Sequence, residues 1–436
     1  MKKLRVFLSA GLFFLFFSCA SGNPHRQADS LAQRGEYRES LALIEKDKKS
    51  LYRDRDATLY YLDAGMLNHY IADYRQSTEL LQEGERAIEA AYTKSITMEI
   101  STYITNDTAQ EYAGEDYEDI YINTFNALNY YHEDDLEDAM VEIRRMNNKL
   151  AFLASKYGIM VDNMQKQALS EGTEIPPDPS AGQAVFTNSA LARYLGMLFY
   201  RGNGNPDDAR IDRDQIRLAF ANNPSVYPYP VPGSLDDELP VPEGKARFNV
   251  IAFSGSAPVK EEEIIRILIP NARYIKIALP VMASRPSVVD RIVARLDSGE
   301  SFELELLEDI GAVATETFRE RAHLAYLKAV LRATIKGVAS SVMSGVGDEL
   351  GGDAGTVLGL LSIGTQIFAE ASEKADLRIS RYFPAKAYVG GITLDPGLYS
   401  YSIIYYSGGK VVDSYRQENV PLRAGGLNLA EAACLK

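Results

Sequence analysis

The sequence predicts an α+β protein in which a helical-repeat half precedes a β-rich half that is itself interrupted by a helical hairpin. Three observations predict this. Paired apolar stretches with helical periodicity run over residues 28–222, six prolines crowd residues 224–242, and short β-type runs begin after Gly244. The 436 residues leave room for two or three domains. With 46% apolar and 24% charged residues the composition is that of a globular chain, which excludes overall disorder or a fibrous repeat.

Residues 1–18, MKKLRVFLSAGLFFLFFS, join a basic start to an apolar run from Val6 to Phe17. That run has the length of a signal-peptide core and is too short for a spanning helix. Ser18-Cys19 closes it and resembles a bacterial lipobox, with Phe16 where that motif usually has Leu. The resemblance implies that Cys19 is acylated and becomes the mature N-terminus. An ordinary cleaved signal that happens to contain a cysteine is the alternative. Several acyl chains on one residue give durable membrane attachment where one chain is marginal. Ala20-Ser21 follows without an aspartate, which under lipoprotein sorting rules implies the outer membrane, facing the periplasm. Cys434 is then left without an intramolecular partner in an oxidising compartment.

Residues 19–222 are expected as a helical-repeat domain. GEYRESLALIEK (35–46), ADYRQSTELLQEG (72–84) and DDLEDAMVEIRRM (134–146) share one pattern. A turn residue precedes Tyr37, Tyr74 or Leu136, a small residue follows three later (Ser40, Ser77, Ala139), and an aliphatic four beyond that (Ile44, Leu81, Ile143). Nine positions earlier stand Ala28, Gly65 and Ala127, small enough for two helices to approach closely. The pattern resembles the tetratricopeptide helix–turn–helix, which predicts an α-solenoid; an irregular bundle is the plainer alternative. Aligned positions lie 37 and 62 residues apart, the second gap holding an insertion (95–121). A looser fourth unit covers 191–221 and turns at 202–206.

The prolines of residues 223–243 exclude helix or central strand and predict a linker or a surface strap. Residues 244–436 follow as a β-rich domain, with alternation clear in FELELL and YSYSIIYY and a hairpin turn at 407–410. One face buried and one solvated is the expectation, in a small antiparallel sandwich or curved sheet. A helical hairpin is inserted at 309–376, split by the glycine-rich turn 345–355. Its second arm, 354–369, has no charged residue and carries Gly355-x-x-x-Gly359, a spacing that permits close helix contact. Packing on the chain's own sheet, self-association and membrane contact are the open readings.

The segment YAGEDYEDIYINTFNALNYYHEDDLEDAMVEIRR (112–145) carries a further resemblance. It places Tyr112, Gly114, Tyr117 and Glu118 ahead of Asn123, then Ala127-Leu128-Asn129-Tyr130, an acidic turn, and Glu142 with Arg144-Arg145. This order resembles a family of bacterial envelope lipoproteins with tetratricopeptide-like repeats, whose members commonly accompany other small lipoproteins. The LARYLGMLFY helix, LLED at 306–309 and RYFPAKAYVGGITLDPG fit in the same order, so the resemblance spans most of the mature chain. It implies no biochemical activity. From the residues, Glu142 and Arg144-Arg145 follow one turn after the acidic patch 133–138, so ion pairs at helical spacing are expected between these acids and arginines. Asn123 and Asn129 are expected to satisfy backbone groups near the insertion. A buried Glu118–Arg pair would fix the docking of the insertion; a ligand site built on these carboxamides and arginines is the alternative.

Charge and motifs narrow the function. Beyond residue 18 the chain holds 43 Lys+Arg against 60 Asp+Glu, net −17, which disfavours nucleic acid. Four histidines and two cysteines exclude structural zinc, iron–sulfur clusters and a disulfide framework. Nucleophile-elbow, zinc-protease and phosphate-loop patterns are missing, and no cofactor or metal is implied. NGNPDDARIDRD (203–214) is only faintly like a calcium loop and reads better as an acidic helix start. The expectation is a non-enzymatic, lipid-anchored scaffold or assembly factor that binds another envelope protein through a concave helical surface. An oligomeric secretion or pore-like component is one alternative. A glycan-binding lipoprotein, suggested by 27 tyrosines, is the other.

Overall fold

In the computed structural model the described residues are 24–97, 107–170, 186–269, 273–319, 321–330 and 374–436. Cys19 and the signal segment, residues 98–106 of the insertion, the 171–182 loop and the second arm of the hairpin lie outside them. The first half is α1 (Pro24–Gln33), α2 (Tyr37–Lys46), α3 (Lys48–Leu51), α4 (Ala57–Tyr70), α5 (Tyr74–Thr97), α6 (Asp116–His132), α7 (Leu136–Lys156), α8 (Gly158–Ser170), α9 (Ala190–Gly202) and α10 (Pro206–Asn222). Helices α1/α2, α4/α5, α6/α7 and α9/α10 form four antiparallel pairs, and each pair packs on the next.

One turn is used four times. Gly35, Ala72, Asp134 and Gly204 all have φ between 60° and 80°, each two residues before the second helix of its pair. After each, the next amide bonds back five residues, Glu36 to Leu31, Asp73 to Asn68, Asp135 to Tyr130 and Asn205 to Tyr200, at 2.8–3.0 Å. This is the left-handed helix cap that satisfies otherwise orphaned carbonyls. The small residues behave as the pattern requires. A Cβ on Gly65 would sit 2.8 Å from the Leu81 side chain, and Ser40 donates 2.9 Å to the Ala28 carbonyl.

The second half contains β1 (Ala246–Ser256), β2 (Val259–Ile269), β3 (Arg273–Ala283), β4 (Arg291–Leu296), β5 (Ser301–Glu303), β6 (Glu305–Asp309), β7 (Pro384–Leu394), β8 (Gly397–Ser407), β9 (Lys410–Leu422) and β10 (Asn428–Cys434). One sheet has the order β10-β1-β7-β6, a second β5-β4-β8-β9, and β2 pairs with β3 alone. β1 and β10 run parallel, so the expected purely antiparallel arrangement is corrected. β1 is buried along its whole length. Phe248, Val250 and Ala252 meet Ile292 and Ile403 of the second sheet, while Ile251 and Phe253 join the helical core. The first sheet is thus a middle layer with both faces covered; only the second has the solvated face that alternation predicted, most clearly along β9.

One core therefore runs from α1 into β10. The change at residue 244 is one of secondary structure, not of core. Residues 223–243 form a strap rather than a spacer: Val226, Tyr227, Leu235 and Glu238 are buried. Of the hairpin expected at 309–376, the described part is α11 (residues 310–319 and 321–330), whose start is capped by Asp309 accepting from the Ala312 amide at 2.9 Å. Residues 374–376 are not helical.

Candidate functional site

Glu118 stands in the first turn of α6 and accepts from its own Glu115 amide at 2.7 Å, which ties the helix start. Its other donors are the Tyr112 hydroxyl at 2.8 Å and the Ser380 amide at 2.5 Å. The expected Glu118–Arg pair is not what the fold makes. A neutral hydroxyl and two amides hold this carboxyl, and burial followed by the nearby Glu115 charge pushes its pKa up to about 7. The cations go two and three residues earlier. Glu115 meets Lys260 at 2.6 Å and Arg321 at 3.6 Å, and Asp116 meets Lys156 at 2.6 Å and the Tyr157 hydroxyl at 3.0 Å. Gly114 makes the entry possible, because its φ is +70° and a Cβ there would lie 2.6 Å from Ile88.

Asp63 on α4 completes a clamp on residues 380–381. It accepts from the Ser380 hydroxyl at 2.9 Å, the Arg381 amide at 2.8 Å and the Tyr52 hydroxyl at 2.8 Å. Burial raises its pKa to about 6 against those bonds. Tyr117 is buried edge-on to Phe383 of the same segment.

The remaining motif residues tie helix to helix. Asn123 donates to Glu142 at 2.6 Å and to Glu85 at 3.2 Å; Arg145 bridges Glu142 (3.0 Å) and Glu85 (2.5 Å). Lys149 adds Glu85 and Asp119, each at 2.6 Å. Three of these ion pairs cross between helices, while Glu142–Arg145 lies at helical spacing within α7; none of them uses the acidic patch 133–138, and Arg144 is exposed. Asn129 bonds the Ser77 hydroxyl and His69, and Tyr130 accepts from Gln82, so the asparagines satisfy side chains rather than backbone.

Comparisons of the chain with protein-family models, with curated proteins and with solved structures find no match. Among the described residues, no group of three or more His, Cys, Asp or Glu side chains is placed to hold a metal ion.

Three further buried carboxylates were missed from the sequence. Glu431 of β10 sits between His69 (2.6 Å) and His132 (2.8 Å). Burial acts to raise its pKa, but the two histidines outweigh it and hold it well below the usual carboxylate range. Burial likewise opposes the charge on His69, and Glu431 turns that balance upward. Glu308 of β6 accepts from Tyr121 and Tyr227 (2.6 Å each), Ser189 (2.8 Å) and the Leu191 amide (3.2 Å). Glu238 of the strap is gripped by Arg201, Arg247 and Asn249 at 2.6–2.9 Å. The lone acid inside the apolar run NLAEAAC was the readable signal for one of them, Glu431. Cys434 is buried and free, its thiol pushed up to about 11, so it is inert at neutral pH.

These groups share a geometry. Each acid joins a helix to a strand, to the strap, to residues 380–381 or to another helix. The helices so tied to the sheet, the strap or residues 380–381, namely α4, α6 and α9, are the first of their pairs and are buried on nearly every face. Their inner side is covered by the chain's own sheet, as Phe125 against Phe253 and Tyr131 on the Leu429 backbone show. Beneath the Glu115 cluster lies a cavity of about 480 Å³.

Proposed function

We propose that the chain is a lipid-anchored envelope protein, tethered at Cys19, whose tetratricopeptide-like helix pairs form a non-enzymatic scaffold for another envelope protein. The observation that carries this reading is the fourfold use of one helix turn, with small residues at the close contacts. Repeats of this kind stack on their neighbours and leave an extended surface. The inner side is filled by the first sheet, so docking falls to the outward second helices. There Val141 and Phe152 of α7 and Ile211 and Leu218 of α10 are exposed, at 36–50%. The motif acids support scaffolding, since each is committed to an internal bond.

Photo-crosslinkers at Phe152 and Leu218 test the reading in whole envelopes. The expected result is a discrete adduct with a second polypeptide that disappears with Cys19→Ala, which also moves the protein to the soluble fraction. Unchanged fractionation of Cys19→Ala, or no adduct from either position, refutes it.

A second reading, an oligomeric component of a secretion or pore-like assembly, draws on the β2–β3 hairpin. Its eleven paired positions stand outside both four-stranded sheets. Light scattering on the purified protein separates the readings by mass. Seven of the 27 tyrosines behind the glycan reading are among the largest fully buried side chains and fill the core.

A further inference from the structure

The cavity of about 480 Å³ opens where α5, residues 109–115, α8, the β2–β3 hairpin and α11 converge. Small-molecule sites commonly span roughly 300–1,000 Å³. Its lining combines two chemistries. Met160, Leu279, Pro280, Phe318 and Leu324 supply apolar surface. The charged part is basic: seven Lys or Arg side chains line the cavity against three carboxylates, in a chain of net charge −14. So strong a local reversal of sign concentrates positive potential in a low-dielectric recess.

Internal pairing does not exhaust that charge. Among the described residues, Lys156, Lys260 and Arg321 share two acids, Glu115 and Asp116. The other two lining acids are engaged elsewhere, Asp376 by Arg378 at 2.7 Å and Glu111 by Lys94 at 3.2 Å. Arg55 adds a further cation to the lining, and its Nε is buried with no hydrogen-bond acceptor among the described residues. A donor left without an acceptor is unfavourable, and an acceptor that reaches this guanidinium offsets that cost. Guanidinium groups match carboxylate and phosphate oxygens in pairs, whereas a neutral ligand leaves the donor unmet.

We propose that this cavity binds a small amphiphilic oxyanion, a carboxylate or phosphate monoester on an apolar chain, with Arg55 at the head and Met160 and Phe318 against the tail. The site is independent of the scaffold reading and stands or falls without it.

Calorimetric titration of the full chain carrying Cys19→Ala, in detergent-free buffer, tests it with four probes: decanoate, decyl phosphate, decanol and inorganic phosphate. Either decanoate or decyl phosphate binds at least about tenfold more tightly than decanol and than inorganic phosphate, and the tighter of the two identifies the head. Arg55→Gln weakens the anionic probe roughly tenfold and leaves decanol unchanged. Ala325→Phe fills the cavity and removes binding while circular dichroism stays that of the parent. If Ala325→Phe fails to fold, the Arg55→Gln comparison decides alone. Equal affinity for decanol, equal affinity for inorganic phosphate, indifference to Arg55→Gln, or no binding by any probe overturns the proposal.

Discussion

Replacing Glu118 by glutamine tests the buried clamp through its pH dependence. The carboxyl is fully buried and its pKa in the fold is about 7, against an ordinary value of 4.5. Because the folded state holds this proton more tightly than the unfolded chain, its contribution to stability is complete below pH 4.5 and is lost as pH rises through 7. Each pH unit in that window is worth ~1.4 kcal/mol, so the loss comes to about 3 kcal/mol. The glutamine side chain cannot ionise and carries none of this slope. It also turns an amide donor toward one of the donors from Tyr112, Glu115 and Ser380, a pH-independent cost of about 1–3 kcal/mol. Urea unfolding followed by circular dichroism at pH 5, 6, 7 and 8 reads both effects. Glu118→Gln is less stable than the wild type at pH 5, and the gap closes or reverses by pH 8. Asp63, raised in the same direction, is present in both proteins and cancels. Parallel pH curves, or a gap that widens toward pH 8, refute the reasoning.

Gly114→Ala forces a side chain into a left-handed backbone and against Ile88, and lowers stability by roughly 2–4 kcal/mol in the same urea assay. Ala72→Gly relieves the left-handed strain at an exposed turn and raises the urea midpoint, by about 0.5–1 kcal/mol in stability. Glu308→Ala strands three hydroxyls and an amide that share one acceptor and costs roughly 3–5 kcal/mol; Glu308→Gln, keeping one oxygen, costs less in thermal melts.

The helical units and most strands were legible in the sequence, because period and turn chemistry are local properties. Ala28, Gly65 and Ala127 marked the close helix contacts on spacing alone. The covering of the inner helix faces was not legible as such, although its trace was present: α4, ATLYYLDAGMLNHY, has almost no polar face, as a helix buried on all sides must. The partner of Glu118 was misjudged for a physical reason. A buried acid near arginines suggests a salt bridge, yet the fold supplies the Ser380 amide, 262 residues away, which no local pattern encodes. The cavity's basic lining was equally hidden, since Arg55, Lys156, Lys260 and Arg321 come from four distant segments.

The parallel pairing of β10 with β1 ties early and late parts of the chain into one cooperative event. Glu431 reaches His69 across 362 residues, so the helices cannot complete their own electrostatics until residues 428–434 have been synthesised and have docked. Such long sequence separations slow folding. Until then α4 and α6 hold two histidines without their counter-charge and an uncovered apolar face. A chain that stops short of β10 is therefore not a smaller version of the protein but a substrate for quality control. Premature termination even in this final strand should register as loss of the whole molecule from the cell.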